Sequence, residues 1–232
     1  MYSVPSFLNH IRAFNNAFAL TSLGVKYDKS HHHGPGIQVF RIQGQLCHLI
    51  GSLLPAPNDE PKFAQILITE SDQAAQVHRR SAVTDNTLNT QILTVLQQLL
   101  QDHNPYYTMY STARERLQET GIPLYLKITS VERPGSDLRR YNIPTAPELG
   151  VILEGDGTEI NSGRDIVVAH RGGTLKRVSD LHPSYNPLRF PLLLPRGEQG
   201  FRLGIPLSER HTTTIVESDL VDGTAHCHYS NF

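Results

Sequence analysis

The chain has 232 residues, of which 38% are hydrophobic and 19% charged, and its formal net charge is -1. That is enough apolar material for one large domain or two small ones, and it excludes binding to a polyanion by bulk charge, so any DNA contact needs local patches. No apolar run approaches the ~18 residues a membrane span requires, and the start lacks the basic end and apolar centre of a secretory signal, so the expected location is nucleus or cytoplasm.

Fifteen prolines and seventeen glycines predict short elements broken by turns. Ser6 is placed to cap a first helix with Phe7, Ile11, Phe14 and Phe18 on one face, Leu8 beside them and Gly24 as its stop. A polar loop carrying His31, His32 and His33 follows. Residues 38–43 alternate as a strand, with Phe40 and Ile42 on one side and Val39 and Arg41 on the other. Three prolines make 55–62 a loop. Residues 64–69 read as a second, more buried strand.

A stripe of Leu88, Ile92, Val95, Leu96 and Leu99 predicts a helix between Asp85 and His103. Asn104 as cap and Pro105 at the first helical position open another. Tyr106, Met109, Tyr110, Ala113 and Leu117 form its apolar side, and Gly121 and Pro123 end it. Leu124, Leu126 and Ile128 then alternate with polar neighbours as a half-buried strand. Residues 148–153 and 165–169 are further strands, with 155–163 as a long hairpin loop between them. Residues 175–178 suit an edge strand, and 191–195 suit buried coil or a very short strand.

The fold class these elements imply is α+β, with a mixed or mostly antiparallel sheet packed against a helical hairpin. The expected organisation is an N-terminal helix and His-rich loop over 1–36, an α+β region over 37–204 and a loosely ordered tail over 205–232.

Candidate chemistry is sparse. Cys47 and Cys227 lie far apart and form no CxxC pair, the pattern of free thiols in a reducing compartment. His226 and His228 flank Cys227, the spacing by which a strand aims two imidazoles at one ion. Their flanks lack the apolar residues such a strand needs, so no metal set is expected, and this pair is the nearest approach to one. Tyr106, Tyr107 and Tyr110 resemble a paired-tyrosine helix that could attack a phosphate, yet they also make up the expected core face. No GxxxxGK[ST] loop occurs, so no nucleotide cofactor and no ATP hydrolysis are expected. Three basic clusters remain: His78, Arg79 and Arg80; Arg133, Arg139, Arg140 and Tyr141; and His170, Arg171, Lys176 and Arg177. Arginine beside aromatic residues suits contact with single-stranded DNA, and the candidate DNA-binding residues are Arg133, Arg139, Arg140, Tyr141, Arg171, Lys176 and Arg177.

Five blocks carry a resemblance. They are FLNHIRAFNNAFALTSLG (7–24), FRIQGQLCHLIGSLLP (40–55), PKFAQILI (61–68), RRYNIPTAPELGVILEG (139–155), and RDIVV with LKRVSDLHPSYNPLRFPLLLPRGEQGF (164–201). In this order they resemble the region that Helitron proteins, the helicase-nucleases of rolling-circle transposons, carry ahead of their nuclease core. The resemblance implies a non-catalytic module that contacts DNA or docks the nuclease and helicase domains, in a truncated copy whose catalytic tyrosines, histidine pair and helicase motifs lie beyond this region. A small metal-dependent single-strand nuclease using His226 and His228, and a decayed copy without activity, are the alternatives.

Overall fold

The computed structural model describes residues 4–27, 42–129, 149–157, 165–172 and 175–201. Two short helices stand where one was expected: α1 (Val4–Asn9) and α2 (Ile11–Phe18), broken at His10. Ser6 therefore lies inside α1 rather than ahead of it. The break aims Phe14 and Phe18 into the core and leaves Leu8 and Ile11 exposed. Gly24 does not stop a helix. It sits in β1 (Ser22–Tyr27), paired with Cys47 of the antiparallel β2 (Ile42–Ile50). A Cβ at Gly24 would come within 2.7 Å of the Cys47 sulfur, so close cross-strand packing explains this glycine.

Residues 64–69 form a helix, α3 (Gln65–Thr69), not a strand. Ile66, Leu67 and Ile68 are all buried, and an apolar run buried on every side has no period by which to tell strand from helix. Arg114 closes this helix, donating from Nη1 to the carbonyls of Leu67 and Glu70 at 3.2 and 3.3 Å. A helix absent from the sequence pattern follows. It is α4 (Gln73–Val83), capped by the Asp72 carboxylate, which accepts from the Ala75 N–H at 3.1 Å. Its buried residues are Gln76, Val77, Arg80 and Ser81, so a mostly polar inward face left no hydrophobic stripe to read.

α5 (Thr90–His103) and α6 (Pro105–Thr120) form the expected helical hairpin. Asn104 accepts from the Tyr106 N–H at 3.0 Å, and Gly121 ends α6 at φ +64°, as anticipated. The predicted face of α6 is buried; that of α5 is rotated. Leu93, Gln97 and Leu100 point inward, while Val95 and Leu99 are 52% and 38% exposed. The rotation follows from Gln97, whose amide is bonded inside the core by Arg80 and Gln76.

The remaining elements are β3 (Leu124–Ile128), β4 (Gly150–Glu154), β5 (Ile166–Val168), β6 (Lys176–Val178) and α7 (Tyr185–Arg189). The strands divide into two three-stranded antiparallel sheets, ordered β1-β2-β6 and β4-β3-β5. Leu124, Leu126 and Ile128 are buried and alternate as expected. Residues 155–163 do not close a hairpin, because β4 and β5 flank β3 on opposite sides. The sheets meet where the Leu53 and Leu54 N–H groups donate to the carbonyls of Ala169 and His170 at 2.8 and 3.0 Å.

The molecule is thus α+β. One buried cluster joins Phe14 and Phe18 of α2, Leu93 of α5, Tyr107 of α6, Leu126 of β3, Val178 of β6 and Leu188 of α7. Among the described residues, no helix is long and apolar enough to cross a membrane.

Candidate nucleic-acid interface

Of the three basic clusters, the first is not a surface patch. His78 is exposed, but Arg79 is ion-paired with Glu60 and, at 3.4 Å, with Glu70. Arg80 is fully buried. Its guanidinium bonds Gln97 and the Ala17 carbonyl at the end of α2, and lies over the rings of Phe18 and Tyr107. The second cluster, Arg133, Arg139, Arg140 and Tyr141, lies outside the described residues, as do His31, His32, His33, His226 and His228.

The three tyrosines of α6 are core residues. Tyr106, Tyr107 and Tyr110 are all buried, and the Tyr107 hydroxyl donates to the Phe18 carbonyl at 2.8 Å. Burial pushes the Tyr107 phenol up to about 12 against the opposing pull of the Arg80 cation, and pushes Tyr106 and Tyr110 higher still. A phenol held neutral in a core can neither reach a phosphate nor attack it.

The third cluster is at the surface. Arg171, Lys176 and Arg177 are exposed, and His170 is half-buried. β6 carries the last two cations and is an edge strand, pairing with β2 alone among the described strands. Lys176 stands opposite Ile50 and Arg177 opposite Leu49, so the two cations leave opposite faces of the sheet. Arg171 bridges Leu54, and Gly51 lies against Leu175, which places Arg171 and β6 along the same 50–54 stretch.

Val178 completes the register opposite His48. The His48 ring lies parallel to Tyr185 at 3.8 Å and edge-on to Phe190 at 5.8 Å. Its Nδ1–H donates to the Tyr185 carbonyl at 3.2 Å. Burial lowers the His48 pKa, overcoming the opposing effect of that bond, and the Arg189 cation adds to the lowering. Burial also raises the Tyr185 phenol, joined by Asp180 and Cys47, while Arg177 opposes them. A half-buried aromatic thus sits within the field of an edge-strand cation.

No family model, curated protein or solved structure matches this chain.

His48, Tyr185 and Phe190 escaped the sequence reading as site residues, although all three fall within the quoted blocks. The available signal was the interleaving of aromatic and basic residues in YNPLRF, just beyond the cations of LKRV. Among the described residues, no three of His, Cys, Asp and Glu are grouped to hold a metal.

Proposed function

We propose that this chain is a non-catalytic, DNA-contacting module of the kind that Helitron helicase-nucleases carry ahead of their nuclease core. The observation that carries this reading is the order of the five blocks across residues 7–201. Three of those blocks pack on one another. The Leu20 N–H donates to the Leu188 carbonyl at 2.8 Å, Asn15 Nδ2 to the Arg189 carbonyl at 3.1 Å, and Arg189 Nη2 to Asn16 Oδ1 at 2.7 Å. His48 of the second block stacks on Tyr185 of the fifth. Residues far apart in sequence thus define one unit, as expected of a module kept for its shape. The burial of the α6 tyrosines supports a role without strand cleavage, and the lack of a GxxxxGK[ST] loop one without ATP hydrolysis.

The module works in the nucleus or cytoplasm, beside the nuclease and helicase domains of such a protein. Binding of the full chain to labelled single-stranded DNA, measured by anisotropy at rising salt, tests the proposal. The expected result is affinity that falls steeply with salt, weakened further when Arg139 and Arg140 are both changed to alanine. No binding at low salt, or strand cleavage by the purified chain, overturns it.

A further inference from the structure

We infer that Tyr185 and Phe190 form a base-stacking platform for single-stranded DNA, with the phosphates met by Lys176 and Arg177 on the open edge of β6. The inference rests on the DNA-contacting reading above and gives it a location and a substrate class.

The rings are pre-positioned. His48 is 3% exposed, lies 3.8 Å beneath the Tyr185 ring at an interplanar angle of 11°, and ties itself to the Tyr185 backbone through Nδ1. The histidine works as a brace, so Tyr185 has little rotational freedom left to lose when a base stacks on it. Phe190 is held by the same imidazole, edge-on at 72°, and remains 36% exposed. Two aromatics of one short helical segment are therefore fixed by one buried ring, and both reach the surface.

The charge beside them suits a nucleic-acid backbone. Lys176 and Arg177 lie on the strand whose next residue, Val178, stands opposite the brace. Asp180 is exposed and acts on the Tyr185 phenol. That carboxylate repels phosphate and directs the backbone towards the β6 side. Bases of a duplex are already stacked on one another and cannot offer a face to a side chain, whereas those of a single strand can. The arrangement therefore selects single strands, and does so with little dependence on sequence, because every base has a face to stack.

The chain contains no tryptophan, so Tyr185→Trp introduces a single fluorescent reporter at the platform. Oligothymidine of about 15 nucleotides, within the span of one single-strand site, is titrated into this variant and into Tyr125→Trp on the other sheet. The expected result is saturable quenching at position 185, none at 125, and none at either with a blunt duplex. Lys176→Gln with Arg177→Gln is expected to weaken binding about tenfold and to flatten the salt dependence by about one unit of log–log slope. If circular dichroism shows that Tyr185→Trp does not fold, Phe190→Trp serves as the reporter with the same expectation. Binding seen by anisotropy without quenching at either ring overturns this inference and leaves the DNA-contacting reading standing. Absence of any binding by the unaltered chain overturns both.

Discussion

Arg80 Nε donates to Gln97 Oε1 at 2.8 Å in the middle of the core, and no carboxylate is paired with this arginine among the described residues. Its charge is met instead by the Ala17 carbonyl at the negative end of α2 and by the faces of Phe18 and Tyr107, at 4.8 and 5.6 Å. Gln97 passes the network on, donating to Gln76 Oε1 at 2.7 Å. One guanidinium thus ties together α2, α4, α5 and α6. A lysine keeps the charge but loses the planar fork and the stacking. Arg80→Lys is expected to cost about 2–4 kcal/mol in denaturant unfolding, and Arg79→Lys under about 1 kcal/mol.

The hydroxyls of α6 separate by their partners. Tyr107 has the Phe18 carbonyl, whereas the Tyr110 hydroxyl is buried with no hydrogen-bond partner. Tyr107→Phe is expected to destabilise by about 1–2 kcal/mol, and Tyr110→Phe to be neutral or stabilising by up to about 1 kcal/mol. Paired unfolding curves check the contrast.

His182 makes stability depend on pH. It is 2% exposed; its Nδ1 accepts from the Ser184 N–H at 3.0 Å, and Nε2 makes no hydrogen bond of regular geometry. Burial lowers its pKa from 6.5 to about 4, against the pull of the Ile128 backbone and the Asp165 carboxylate. The unfolded chain takes up the proton first, so the stabilisation is complete above 6.5 and is lost as pH falls from there towards 4. Unfolding free energy is expected to drop by about 2 kcal/mol between about pH 7 and pH 5 from this residue, with His48 adding to the loss in the same direction. In His182→Gln that slope becomes shallower.

The rotation of α5 is testable by pairs. Leu93 is fully buried and Val95 half exposed. Leu93→Ala is expected to cost about 2–5 kcal/mol, and Val95→Gln to stay within about 0.5 kcal/mol of the parent.

Two glycines differ in their reason for being glycine. A Cβ at Gly150 would sit 2.3 Å from the Lys127 carbonyl oxygen, whereas one at Gly121 meets nothing but is strained by φ +64°. Gly150→Ala must displace β4 from β3 and is expected to cost about 2–3 kcal/mol; Gly121→Ala costs about 1 kcal/mol. Thermal midpoints of the two variants rank them.

Local chemistry was legible wherever a residue acts on its own neighbours. Asn104, Pro105 and Gly121 bound α6 because capping and left-handed backbone are properties of a few adjacent residues, and Leu124, Leu126 and Ile128 alternate because a strand buries every second side chain. The α+β class followed from the same signals. What hydrophobic pattern could not show is a face buried for its polar bonds. α4 is inward through Gln76, Arg80 and Ser81, and α5 turns Gln97 to meet them, so the apolar Val95 and Leu99 are left outside. The partition into two sheets, the conversion of residues 64–69 to helix, and the meeting of His48 with Tyr185 depend equally on partners distant in the chain. Periodicity records which side chains avoid water; only the folded molecule decides which polar groups find one another once water is excluded.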